Sequence, residues 1–251
     1  MKRISHISLF SGIGGFDLAA KWMGWENLVQ VEKDEYCLRV LAHHYPNAVR
    51  IKDIRAFNQK NYAADVVSAG FPCQPFSLAG NRKGEEDDRY LWAETLTAIR
   101  RVQPLAFVLE NVVGIVSLCL EQILNDLERE GFRTQTFLVP AAGVGAIHKR
   151  ERVWIIGFRN SVSVPSDSII TGMEGDKSFP FQRFSQVQRY TDCRTIEALR
   201  RRTTIPEPLV RAGAYGVSFQ LFRNQLSAIG NSIVPQIALI LFFYLEKILL
   251  R

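Results

Sequence analysis

The chain has 251 residues, 47% hydrophobic and 22% charged, which suits one large soluble α/β domain with room for a small insert. A net charge of +6 and a pI of about 9.2 favour a polyanionic partner. The four cysteines (Cys37, Cys73, Cys119, Cys193) lack CxxC or Cys/His spacing, which argues against a zinc site or a disulfide framework and for reduced thiols.

Met1-Lys2-Arg3 opens like a leader, but Ser11, Gly12, Gly14, Gly15 and Asp17 break the apolar region too early for a signal peptide. Ile4 to Phe10 reads as a first strand, and a Gly-rich turn leads into a helix from about Phe16 to Met23. Leu28 to Glu32 reads as a second strand and Glu35 to His44 as a second helix. A short strand at Val49 to Ile51 precedes Asp53, and Asp65 to Ala69 forms a fourth strand. A helix from about Leu91 to Arg101 leads to the buried strand Leu105 to Leu109, which ends at Glu110. Leu118 to Glu130 has helical spacing and stops at Gly131, a suitable C-cap. Arg133 to Val139 and Arg152 to Phe158 read as a hairpin-like pair of strands. From Asn160 the texture changes: Ser161 to Phe179 is rich in Ser, Gly and Asp, and arginines then accumulate up to Arg211. Ser232 to Leu250 reads as a terminal helix. Its apolar run from Ile237 to Leu245 stops at Glu246-Lys247, short of the roughly 18 residues needed to span a membrane. Alternating strands and helices predict a doubly wound, mostly parallel sheet covered on both faces. The expected organisation is a catalytic domain over 1–159, a small insert over 160–221, and a segment over 222–251 that completes the domain. No membrane or metal partner is expected, and the expected location is the cytoplasm, beside the nucleoid.

Two loops carry the chemistry. Gly12-Ile13-Gly14-Gly15 follows a strand, but a dinucleotide fingerprint needs a further glycine where Asp17 stands, so a pyrophosphate site is disfavoured. Glycines at a helix N-terminus still admit a carboxylate. Glu32, twenty positions on, can accept from both ribose hydroxyls, and Asp53 from an adenine amine. A ligand with a carboxylate, a ribose and an adenine but no phosphate is S-adenosylmethionine. The second loop, Gly70-Phe71-Pro72-Cys73-Gln74-Pro75-Phe76-Ser77, holds a thiol between two prolines at a strand exit. Each proline fixes its own φ and biases the residue before it, so the loop is stiff.

Together with Phe10-Ser11-Gly12-Ile13-Gly14-Gly15-Phe16, Glu110-Asn111-Val112, Arg150-Glu151-Arg152 and Gly230-Asn231-Ser232, this octapeptide resembles the DNA cytosine-5 methyltransferase family, bacterial or phage type. The blocks cover roughly the first 160 and the last 30 residues, in the family's order. The resemblance implies the S-adenosylmethionine-dependent methyltransferase fold with a small target-recognition insert. It also implies that Phe10 stacks near the adenine, that Asp53, Ile54, Pro72 and Leu91 line the pocket, and that Asn231 and Ser232 close it. Asn231 and Ser232 also read as the N-cap of the last helix.

The implied reaction transfers a methyl group from S-adenosylmethionine to C5 of a flipped-out cytosine in double-stranded DNA. Cys73 is the nucleophile at C6. Glu110 can deliver a proton to N3, because burial raises a carboxyl pKa. Arg150 and Arg152, two apart on an extended segment, share a face with His148 and can hold Glu110 and neutralise the cytosine O2. Family members usually carry Gln where this chain has His148, which is given no role. Gln74 and Ser77 are candidates for filling the gap left by the base. Arg200, Arg201 and Arg202 are candidates for phosphate contact. Glu85 to Leu91 resembles the family's mobile loop, one residue short between Arg89 and Leu91. The family's Thr-Pro-Arg-Glu-rich block is missing, so the recognition unit is small, relaxed, or helped by another chain. A cognate restriction enzyme or accessory chain is the further candidate partner. The alternatives are cytosine-5 methylation of tRNA and a non-catalytic DNA-binding relative.

Overall fold

The computed structural model describes residues 3–58, 60–72, 91–144, 150–164, 182–183, 228 and 231–250. Within these, the strands β1 (Ser5–Leu9), β2 (Glu26–Val31), β3 (Val49–Ile51), β4 (Val66–Ala69) and β5 (Ala106–Val112) run parallel. Two longer strands, β6 (Phe132–Pro140) and β7 (Glu151–Arg159), pair antiparallel with each other, and β7 lies antiparallel to β5. A two-residue β8 (Gln182–Arg183) completes an eight-stranded sheet in the order β3-β2-β1-β4-β5-β7-β6-β8. The expected α/β sheet, mostly parallel with a terminal hairpin, is what forms.

The order runs outward from β1 to β3 and then restarts at β4 on the other side of β1. The order of strand addition therefore reverses between the parallel strands β1 and β4, and a crevice opens beyond their carboxyl ends. Both chemistry-bearing loops leave the sheet there.

The helices α1 (Gly15–Trp22), α2 (Glu35–His44), α3 (Ile54–Phe57), α4 (Trp92–Val102), α5 (Ile115–Leu118), α6 (Leu120–Arg129) and α7 (Pro235–Leu249) lie around the sheet. One face buries Phe16, Trp154, Ile237 and Phe242 in a cluster built on α1 and α7. The other buries Ile7, Leu9, Ile99, Phe107 and Ile123. Trp25 Nε1 donates to Glu246 Oε1 at 2.8 Å, tying α7 to the entry of β2.

Most element ends shift by one or two residues from expectation, and three of the differences bear on the site. The helix expected over Leu118 to Glu130 is α6 and begins at Leu120, because Cys119 (φ −152°) separates it from the short α5, and Gly131 follows its end at φ +83°. The last helix begins at Pro235 rather than Ser232. Proline suits the first helical turn, where its missing N–H costs nothing, and the N-cap is Val234, without a side-chain bond. Asn231 and Ser232 therefore do not cap it. Finally, β5 runs on through Glu110 to Val112, because Glu110 stays paired with Trp154 and Val112 with Arg152. Glu110 is thus inside the strand, not at its end.

Within β1 the polar His6 and Ser8 are fully buried, as a sheet covered on both faces requires, with the His6 ring against Trp25 and Phe242. His6 Nδ1 lies 2.7 Å from Asn27 Oδ1 and its Nε2 2.8 Å from Ser68 Oγ. Burial lowers its pKa to about 4, so it stays neutral. Nearby, Gln30 Nε2 donates to Asp17 Oδ1 at 2.8 Å, and burial raises Asp17 to about 6.

Candidate active site

The crevice holds a cleft of about 420 Å³. Phe10, Gly12, Glu32, Asp53 and Ile54 line it from β1, β2 and β3, and Pro72, Leu91 and Asn231 from the opposite side. Most of the expected cofactor residues, scattered over the sequence, therefore meet in one cavity. Ser11 N–H donates to Val31 O at 2.9 Å, stitching the β1 loop to the end of β2. Glu32 then accepts from two backbone donors, Gly12 N–H at 2.7 Å and Asp34 N–H at 2.8 Å. Each oxygen is held by one bond, and a carboxylate retains further acceptor sites. Phe10 (φ +54°) and Gly12 (φ +55°) are both left-handed. For Phe10 this is a strained conformation, of the kind that clusters at functional loops. A Cβ on Gly12 would meet nothing within 4 Å, so its backbone faces open space.

Gly14, Gly15 and Ser232 do not line the cleft. Gly14 is left-handed at φ +89°, and a Cβ there would stand 3.0 Å from Leu41 Cδ2. A Cβ on Gly15 would stand 2.7 Å from Ile233 O, so that glycine is needed for packing rather than for ligand approach. Ser232 Oγ donates to Ile233 O at 3.1 Å. Asp53 lines the cleft but also caps α3, accepting from Arg55 N–H at 2.8 Å. Lys33, Lys52, Arg55, Cys37 and Ala228 also line the cleft, and no sequence motif marks them. Burial, with Glu32 and Asp34 nearby, pushes the Cys37 thiol up to about 12, which leaves it inert.

The acid side is built on β4, β5 and β7. Glu110 and Arg152 project from the same face of the β5–β7 ladder, Arg152 two residues along β7 from Trp154, the register partner of Glu110, and Arg152 Nε lies 3.0 Å from Glu110 Oε1. Burial raises Glu110 to about 7 against the opposing pull of Arg152 and Arg150. Burial and the Arg152 charge lower Arg150, while Glu110 raises it. Oε2 of Glu110 reaches to 3.6 Å from where a Gly70 Cβ would stand, at the stem of the Cys73 loop.

Asn111, quoted above only as part of a motif, has a clear task. Buried beside Glu110, its Nδ2 donates to Phe71 O at 2.9 Å. The Phe71 ring packs 5.3 Å from that of Trp92, whose Nε1 donates to Asp126 Oδ2 at 2.9 Å. The stem is thus fixed by its carbonyl and by its ring. A polar residue following a buried acid within an apolar strand is the signal that could have found it. Cys73, Gln74, Ser77, His148, the segment from Glu85 to Tyr90, and Arg200, Arg201 and Arg202 lie outside the described residues. Among the described residues no three His, Cys, Asp or Glu group to hold a metal, and no helix is long and apolar enough to cross a membrane.

A parallel sheet with this reversal point, closed by an antiparallel hairpin, is the fold of S-adenosylmethionine-dependent methyltransferases. The Schizosaccharomyces pombe Dnmt2 methyltransferase shares it, with a TM-score of 0.65 over 98% of this chain and 99% of that one, at 14% identity. The chain belongs to the C-5 cytosine-specific DNA methylase family, whose model matches residues 4–209. It is 32% identical over 256 residues to the type II methyltransferase M.HgiCII of Herpetosiphon aurantiacus, covering 99% of this chain and 54% of that protein. It is 33% identical over 207 residues to M.HpaII of Haemophilus parainfluenzae, covering 74% and 57%. The chain spans little more than half the length of these relatives.

Proposed function

We propose that the protein methylates C5 of cytosine in double-stranded DNA, with S-adenosylmethionine as methyl donor. The observation that carries this reading is the buried Glu110–Arg152 pair beside Gly70, opening onto the same crevice as the Glu32 cleft. The cleft suits the donor by size and by chemistry. Phe10, Ile54, Pro72 and Leu91 offer apolar walls to an adenine, Glu32 has acceptor sites left for a ribose, and the open backbone at Gly12 admits a close ligand. When bound, S-adenosylmethionine supplies an electrophilic methyl group.

The chain's own residues do the rest. Cytosine C5 is a poor nucleophile until a thiolate adds to C6, the role given to Cys73. As the Cys73 Sγ–C6 bond forms, electrons move toward N3, and Glu110, protonated in part near neutrality, donates there. Arg152 and Arg150 orient Glu110 and offset charge growing on O2. After transfer, loss of the C5 proton lets the Sγ–C6 bond break and frees the thiolate. A duplex must release the base from its stack, at a cost of about a few kcal/mol. Gln74, Ser77 and Arg200, Arg201 and Arg202 are assigned to the DNA, and the insert over 160–221 to target choice. A cognate restriction enzyme or accessory chain would act with it, in the cytoplasm beside the nucleoid.

The test is DNA carrying 5-fluorocytosine. Fluorine cannot leave C5 as a cation, so the adduct should persist through denaturing electrophoresis, require S-adenosylmethionine and map to the Cys73 peptide. Cys73→Ser should abolish it, and Glu110→Gln should slow it. An adduct on Cys37, Cys119 or Cys193, or trapping by fluorinated tRNA and not by DNA, would overturn the reading.

A further inference from the structure

Gly15 and Gly70 are 55 positions apart in sequence, yet one residue, Ile233, stands nearest to where a side chain on either would go. A Cβ on Gly15 would stand 2.8 Å from Ile233 Cβ, and one on Gly70 would stand 3.2 Å from Ile233 Cδ1. The same Gly70 position is 3.6 Å from Glu110 Oε2. Ile233 therefore sits where the cofactor turn, the stem of the nucleophile loop and the acid converge. It is 7% exposed and belongs to the apolar cluster of Phe16, Trp154 and Ile237. Its place is fixed from behind: Pro235 starts α7 two residues later, and α7 is packed on α1 and latched by Trp25 and Glu246.

We propose that Ile233 is a positioning residue for Glu110, an apolar wall that limits water at Oε2 on the Gly70 side while Arg152 holds Oε1. The proposal rests on the reading of Glu110 as proton donor, and extends it by giving the cause of that group's acidity. Among the described residues the charged groups acting on Glu110 are Arg152 and Arg150, both from the β7 side, and both favour ionisation. Ile233, arriving from the C-terminal segment, brings no charge, and only desolvation can oppose them. A β-branched side chain is stiff at χ1 and suits a fixed wall.

The experiment follows the Glu110 carboxyl by carbon-13 NMR titration of the full chain without DNA, the signal assigned through Glu110→Gln. Ile233→Ala should lower the Glu110 midpoint by about one pH unit, toward the ordinary value. Ile233→Val should restore most of it. Ile248→Ala, which trims the same cluster at the far end of α7, should leave it in place. If Ile233→Ala does not fold, Ile233→Thr carries the test, since its hydroxyl should lower the midpoint at nearly the volume of valine. An unmoved midpoint in the variant that folds overturns the proposal. The alkaline limb of the methylation rate should move by the same amount. A midpoint that falls while the rate profile stays put would leave Ile233 in its role and remove Glu110 from the chemistry.

Discussion

If Glu110 is held near neutrality by burial, the fold is penalised each time that carboxyl ionises, and Glu110→Gln should remove the penalty. The rise from 4.5 to about 7 corresponds to about 3 kcal/mol over the full titration. A carboxyl raised on folding contributes stability that is complete below its unfolded pKa and is lost as pH climbs through the folded value. The parent protein should therefore lose about 2 kcal/mol from this group between about pH 5.5 and 8.5. The amide introduced by Glu110→Gln does not titrate, so the variant should gain on the parent by that amount over the same span. For a domain of this size that is about 4–8 °C in relative Tm. The other strongly shifted buried groups, among them His6 near 4 and Asp17 near 6, are common to both proteins and cancel in the difference. The assay is thermal unfolding of both proteins across the range, with methylation measured in parallel. Activity should be nearly lost in the variant at every pH, while its relative stability rises with pH. A Tm difference that is flat, or that shrinks as pH increases, would mean Glu110 is ionised throughout and is no proton donor.

Glu32→Ala should weaken S-adenosylmethionine binding by about 1–3 kcal/mol, because it removes the ribose acceptor and frees the Gly12 and Asp34 amides it now holds. Calorimetry on the variant beside Cys73→Ala, which should bind normally, checks this, and equal affinities would refute it. Gly157→Ala should destabilise the protein by about 1–3 kcal/mol or more, since its Cβ would fall inside the buried Phe107 ring. Denaturant unfolding measures it, and a neutral result would mean that Phe107 has room to move. Neutralising Arg200, Arg201 and Arg202 together should weaken DNA binding and flatten its salt dependence, leaving cofactor binding intact. An unchanged slope would take these arginines off the DNA.

The parts of this fold that could be read from sequence are those where a local signal and the packing agree. Glu35 to His44 is a helix between the expected ends because Asp34 caps it, accepting from Cys37 N–H at 2.8 Å, and its apolar stripe meets the sheet. Where the deciding partner lies far along the chain, local pattern misleads. Nothing local marks His6 as a core residue, and Asn27 and Ser68, 21 and 62 residues away, satisfy its two ring nitrogens in burial. Glu110 looks like a strand end because it is charged, but its antiparallel pairing with β7 carries the strand on to Val112. The cleft was largely legible because ligand-facing residues sit at strand ends, where the order of the sheet places them. Gly15 was not, since its neighbour Ile233 is 218 positions later and on a different element.

That difference bears on how the site is held. Residues assigned to touch ligands are set by short loops at the ends of β1, β2, β3 and β4. The residues that hold those loops arrive from elsewhere: Asn111 from β5 on Phe71, Trp92 from α4 on the same residue, Ile233 from the C-terminal segment on Gly15 and Gly70. The segment after the insert is therefore needed to finish the site, and removing it would open both glycine contacts at once. Loss of residues 228–250 should thus expose Glu110 to water and lower its pKa, besides removing Asn231 from the cleft wall. On the proposal made for Ile233, the acid should reach its neutral-range pKa only with the C-terminal segment packed in place.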